Sequence, residues 1–477
     1  MILIVSFCSV LFVYIALHPL IPYDGTELLS MVRIIGDRGC LSYHDDCRPT
    51  QTDLGPIYPL FVFIQLFFSK LLKIPSSSLP LLISLFQTSV SLAMAIFIFI
   101  SLKLNLPRLS WRPWVALFVF TLGPIVVGWN RVLHPDSLSI TIASLIGVLL
   151  YRFSCSRRHT LLIYSALIVS LGSLIRYDFL IFVVPILAFF VLDVFSRFEV
   201  SFFSEFKIAE IRLFATRFLF IFLISISCLL MWSLRNVSVG IPPVRSAFFS
   251  ASGNSHFNQK TFDWIQYWTV SQYDYNAGVY PYLKDLPAQI SPPPYARNEQ
   301  INTALKSFSA HDTLNGDTIL SDAVRDKMKA LNKDHLRRLL LNFQRILWLL
   351  LNPFWSGGLP TNHLGHLHLV PKTIAMLLSK AYSFTGRVII VFALFALLLK
   401  TPLSPSWKMC LVATLSLFVA DLTFLLYLGQ LETRYLLDDF SFASVMLVYF
   451  FLLPRGLSLE LCNLKSDASS GFCKNNR

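Results

Sequence analysis

Ten stretches of this chain are apolar enough to cross a lipid bilayer as helices, and that constrains its fold more than any other feature. They run at about 1–18, 79–102, 113–130, 137–151, 160–175, 178–196, 213–234, 385–399, 409–428 and 440–454. A span takes about 20 mostly apolar residues, and it is helical because lipid offers no partner to free backbone groups. Composition agrees. Only 14% of the 477 residues are charged, against roughly 25% in an ordinary soluble domain. Soluble enzyme, disordered chain and nucleic-acid binder are therefore poor readings. The formal net charge of +13 is read as topology, because basic residues mark cytoplasmic loops. Stretch 1–18 has neither basic residues ahead of it nor a small-residue cleavage site, so the expectation is a retained first helix.

An eleventh segment, Ile57 to Ile74, fixes the orientation of everything after it. If it lies along the membrane surface, the loops at 103–112, 152–159, 197–212 and 400–408 and the tail share one side. That side then holds fifteen Lys and Arg, while the opposite short loops hold only Arg131, Arg176 and Arg434. Lys and Arg in short loops face the cytoplasm, so 57–74 is placed on the outer surface, where Lys70 and Lys73 can snorkel into headgroups. The expected protein is an all-α polytopic membrane protein of about 10 transmembrane helices, with an outer juxtamembrane helix and an extracytoplasmic loop region. Residues 1–234 form an N-terminal membrane module whose first outer loop is 19–78. The extracytoplasmic region is 235–384, the C-terminal spans lie within 385–454, and 455–477 is a cytoplasmic tail. Of eight cysteines, only Cys40 and Cys47 fall in outer loops. Disulfides form outside the cytosol, so these two are either bridged or a pair of free thiols.

Charge in a bilayer is costly, and in this topology the acids gather at the outer mouths of spans. Asp24 and Glu27, three apart, share a helical face or form a capped, solvated turn. Asp136, within Arg131 to Ser137, stands where an N-cap stands. Arg176, Tyr177 and Asp178 lie between two spans, and Glu432 to Tyr435 precede the last. Arginines at such mouths are snorkelling anchors or phosphate ligands. Asp421 lies inside the ninth span, as a functional acid or a polar contact between helices. His363, His366 and His368 lack an acid or cysteine to complete a metal set. A basic amphipathic helix with Val324, Met328, Leu331, Leu339, Phe343, Ile346 and Leu350 on one face lies on the outer leaflet or on the bundle.

The order of these motifs resembles the GT-C superfamily of membrane glycosyltransferases, in particular the branch of the aminoarabinose transferase and the protein O-mannosyltransferases. The matching residues are Tyr23-Asp24-Gly25-Thr26-Glu27, then Gly36 and Gly39, then Gly55-Pro56-Ile57-Tyr58-Pro59-Leu60. HisProAspSerLeu at 134–138, IleArgTyrAsp at 175–178, LeuArgAsn at 234–236 and GluThrArgTyr at 432–435 follow. The family's adjacent acids correspond here to Asp24 and Glu27, with two residues between them.

The resemblance implies transfer of a sugar from a polyprenyl-phosphate donor to a glycan, lipid or protein acceptor at the extracytoplasmic face, with inversion. The implied setting is a prokaryotic plasma membrane, with membrane lipids as the other partners and no nucleic acid. Asp24 is the expected general base, with Glu27 beside it and Asp136 orienting the acceptor or holding a cation. Arg176, Arg235 and Arg434 are candidates for the phosphate, Arg434 being preferred, with Tyr58, His134 and Tyr435 as further substrate contacts. A divalent metal ion, if used, has Asp24, Asp136 and His134 as its convergent ligands. The rival reading is a secondary transporter or lipid-linked sugar flippase working through Asp421.

Overall fold

A computed structural model describes residues 23–42, 47, 55–104, 111–122, 129–130, 132–197, 208–239, 268–269, 299–303, 335–351, 405–428, 442 and 445–446. Among them the fold is all-helical, with no strand. Two compact units form. One comprises 1–243, 354–419 and 436–477, and the other 244–353 and 420–435.

In the first unit, α1 is Tyr23–Arg38, α2 Ile57–Leu71, α3 Leu79–Leu104, α4 Arg112–Leu122 and α5 Asp136–Ser156. They are followed by α6 His159–Gly172, a 3-10 helix Tyr177–Phe182, α7 Val183–Arg197 and α8 Ile208–Ser238. Four helical stretches are long and apolar enough to cross a membrane: Leu79–Lys103, Asp136–Ser156, Tyr177–Val194 and Arg212–Ser238. They coincide with four of the expected spans. The expected span 160–175 is the shorter α6, and that at 113–130 is helical over Arg112–Leu122, with 123–128 outside the described residues. The expected spans 1–18 and 385–399 lie wholly outside them, and of 440–454 only Phe442, Val445 and Met446 are described. α9 is His335–Leu351 in the second unit, and α10 is Pro405–Leu428, of which 405–419 belong to the first unit.

α5 is the central element. Its apolar residues Ile146, Val148, Leu150 and Phe153 are buried with Phe99 of α3, Val169 of α6, Phe189 of α7 and Met409 of α10. A second core joins α1 (Leu28, Val32), α2 (Tyr58, Val62), α3 (Leu79, Ile83) and the ends of neighbouring segments (Leu133, Leu138, Ile175). α5 ends at Arg157, which adopts the left-handed conformation (φ 54°) and donates its backbone N–H to Phe153. Its guanidinium then reaches Asp193 of α7 at 2.9 Å, and His159 Nε2 lies 3.7 Å from the same carboxylate. At 1.5 Å per residue, α5 sets this ionic cluster about 30 Å from Asp136 at its other end. That is the thickness of a hydrocarbon core.

α2 starts without a side-chain cap. Instead the Ile57 N–H donates to the Leu174 carbonyl at 3.1 Å, which satisfies a group that a helix start leaves open. This docking requires glycine before it, because a Cβ on Gly55 would lie 1.8 Å from the Leu174 oxygen. A Cβ on Gly36, by contrast, would meet Phe63 at an ordinary 3.5 Å. Gly55→Ala is therefore expected to lower stability by about 1–3 kcal/mol or more through overpacking, and Gly36→Ala to change it little. Unfolding of both variants in detergent micelles checks this, and equal tolerance of the two would contradict the backbone docking.

Candidate functional site

Four of the motifs named above converge on one end of α5. α1, which carries Asp24 and Glu27 in its first two turns, contributes Leu28 and Val32 to the same small core as Tyr58, Leu133, Leu138 and Ile175. Those last four residues flank or belong to the segments 55–59, 134–137 and 175–178. The side chains of Asp24 and Glu27 fall outside what the structure describes, as do Arg131, Arg434, Tyr435 and the histidines at 363, 366 and 368.

Asp136 is not an N-cap. Pro135 occupies that position with no side-chain cap, and Asp136 is the first helical residue. Its carboxylate, 1% exposed, bonds instead to Arg176 Nη1. Arg176 lies in extended backbone (φ −145°, ψ 131°) between the end of α6 and the 3-10 helix, which lets its side chain turn back toward α5. It also grips Asp178 through Nε, at 3.1 Å, and through Nη2. One planar guanidinium thus serves two carboxylates, the bidentate geometry that arginine supplies and lysine does not. With its fork so engaged, Arg176 acts here as a positioning residue for two acids.

His134 sits against the same carboxylate, with Nδ1 3.1 Å from Asp136 Oδ1 and 3.4 Å from the Asp136 backbone nitrogen. A neutral ring satisfies one of these, as donor to the carboxylate or as acceptor from the amide. Asp136 and His134 are together, but no three His, Cys, Asp or Glu side chains converge as a metal site among the described residues.

A buried polar layer, most of it outside the motifs named above, supports this end of α5. The Tyr58 hydroxyl donates to Gln87 Oε1 at 2.7 Å. Gln87 Nε2 donates to the carbonyls of Asn130 and Val132, each at 3.0 Å. Ser91 donates to Asn130 Oδ1 at 3.0 Å and shares a hydrogen bond with Thr141. These contacts hold Asn130 and Val132, which lie just before His134 and Asp136 in the chain. Gln87, followed by Thr88 and Ser89 inside the apolar stretch 79–102, is the available signal. Tyr58 is therefore tied into the scaffold and is not exposed to a substrate.

Arg235, near the end of α8, has a different setting. Its guanidinium stacks 4.9 Å from the Trp232 ring and bonds Asn236 Oδ1 at 3.2 Å. The Trp232 indole N–H donates to the Tyr177 hydroxyl at 3.3 Å, linking Arg235 to the residue after Arg176. Below them an open apolar groove of about 290 Å³ is lined by Leu174, Ser227, Cys228, Met231 and Trp232. Cys40 and Cys47, just after α1, are joined by a disulfide with Cα atoms 5.9 Å apart. Asp421, on α10, is buried.

No family model, no curated protein and no solved structure matches this chain.

Burial raises the Tyr58 phenol well above its ordinary range. The Asp136 charge adds to this, and a backbone hydrogen bond at His134 opposes it. Its unfolded value is about 10, so its contribution to stability is complete below that pH. It is lost as pH rises further, because the unfolded chain gives up the proton first. Tyr58→Phe is expected to cost about 1–3 kcal/mol at neutral pH by orphaning Gln87 Oε1 and to flatten the loss of stability above about pH 10. Unfolding curves across that range check both effects. An unchanged alkaline slope would show that Tyr58 is not the titrating group.

Proposed function

We propose that this chain is a polytopic membrane glycosyltransferase that moves a sugar from a polyprenyl-phosphate donor to an acceptor on the extracytoplasmic face. The observation that carries this reading is the convergence of four motifs, spread over more than 150 residues, on one end of α5. Loop charges put that end outside, in a bundle of about ten spans in a prokaryotic plasma membrane. Acids and arginines gathered at a membrane mouth suit chemistry on a headgroup whose tail remains in lipid.

The acceptor hydroxyl is a poor nucleophile, and Asp24 takes its proton as general base. The oxygen attacks the anomeric carbon from the face opposite the phosphate. The bond from that carbon to the phosphate oxygen breaks, its electron pair leaves with the phosphate, and the anomeric centre inverts. Developing charge on the leaving phosphate needs a preorganised cation. Arg176 is committed to two carboxylates, so Arg235 is the better placed of the described arginines, and Arg434, outside the described residues, is the other candidate. The apolar groove below Trp232 suits the first isoprene units of the donor tail. Glu27 supports Asp24. His134 and Asp136 orient the acceptor, and Tyr435 lines the sugar side.

The test is release of sugar from a panel of labelled polyprenyl-phosphate sugars by membranes holding equal amounts of folded protein. Asp24→Asn is expected to reduce activity about 100-fold or more, as for loss of a general base. Arg235→Gln should slow release as well, while Asp421→Asn leaves it within a few-fold. Equal rates for wild type and Asp24→Asn would overturn the assignment of the base. Silence of the wild type with every donor, together with substrate movement that depends on Asp421, would favour the transporter reading.

A further inference from the structure

α9, His335–Leu351 in the second unit, is built the wrong way round for a helix in water. Its exposed face is apolar: Leu336, Leu339, Leu340, Phe343 and Leu347 project outward, the first two 69% and 68% exposed. They recur at three- and four-residue steps and form one stripe. The buried face holds Leu341 and, with it, a charge. Arg345, 5% exposed, turns inward, donates its Nε to the Thr269 carbonyl at 2.9 Å and its Nη1 to Asn342 at 3.4 Å. Burying an arginine while five large apolar side chains stay outside is unfavourable in water, but it suits a surface that faces hydrocarbon.

From this inverted polarity we infer that α9 is an interfacial membrane helix, which seats the second unit on the bilayer with the Leu336–Leu347 stripe in the acyl boundary. The helix carries no acid, so nothing in it repels anionic headgroups. At 17 residues with Asn342, Gln344 and Arg345 in the middle, it is ill suited to spanning. A second copy of the chain is a poor occupant. A stripe of about 18 Å by 10 Å offers roughly 200 Å², against about 800 Å² per partner in a stable interface. The inference is independent of the proposed transferase activity.

The test uses the full chain reconstituted in vesicles of phosphatidylcholine and phosphatidylglycerol. A small fluorescent amino acid is placed in turn at Leu339, Phe343, Leu347 and, on the flank, Asn342. Lipids brominated near the carboxyl end of the acyl chain should quench the first three at least about twofold more than the fourth, to similar extents along the helix. Three results would overturn the inference. One is an absence of quenching along the stripe. Another is quenching by mid-chain bromines that deepens steadily from Leu339 to Leu347, as for a spanning helix. The third is capture of a second copy of the chain by a photo-crosslinker at Phe343.

Discussion

An arginine gripped by two carboxylates at the edge of an apolar bundle is stable only if the segments that carry the three groups stay together. Arg176 is 8% exposed and Asp136 1%. Removing Arg176 would take the guanidinium from the buried Asp136 carboxylate, at a cost of about 3–5 kcal/mol, and removing Asp136 would leave Arg176 to Asp178 alone. Nothing in water replaces such a pair once it is broken. The ion cluster thereby fixes the turn between α6 and the 3-10 helix against the first turn of α5, and much of the local architecture follows. Leu174, two residues before Arg176, offers its carbonyl to the start of α2. α2 in turn carries Tyr58 to Gln87, and Gln87 holds Asn130 and Val132, just before His134.

α5 also explains why polar groups gather at two levels. Its far end carries the Arg157, Asp193 and His159 cluster, and the stretch between is lined by apolar side chains in the main core. An element of 21 residues with ionic groups at both ends and hydrocarbon between them matches a bilayer in profile. Thr141 and Ser144 inside that stretch, and Ser91 facing Thr141 from α3, are each satisfied by a neighbour or by the preceding helical turn, as lipid requires. In the second unit the same rule is met differently, with a charge turned inward on Thr269 and leucines turned out.

Helices were legible in the sequence because apolar stretches of span length leave the backbone little choice. Leu79–Leu104 and Ile208–Ser238 show this over their full length. Boundaries were harder. Asp136 had the sequence context of a cap, but Pro135 took the cap position and freed the carboxylate for Arg176. That exchange depends on a residue 40 positions away, which no local pattern contains. The site was legible as a set of motifs and not as a set of roles. Arg176 was expected at a phosphate and is bound to acids, and Tyr58 was expected at the substrate and is bound to Gln87. Burial and pairing decide such roles, and both are tertiary properties. Gln87 and Asn130 were passed over because a lone amide in an apolar stretch shows its value only when its partners are in place.

A double-mutant cycle of Asp136→Asn, Arg176→Gln and both together, read as unfolding free energy in lipid bicelles, tests most directly whether the ion pair organises this end of the protein. The expected result is that Arg176→Gln, which takes the guanidinium from both Asp136 and Asp178, loses about 3–5 kcal/mol, that Asp136→Asn loses less because Asp178 still holds Arg176, and that the double variant loses clearly less than the sum of the two. A small loss for Arg176→Gln, or losses that simply add, would mean that Asp136 and Arg176 are held apart energetically and that the convergence of the motifs rests on something else.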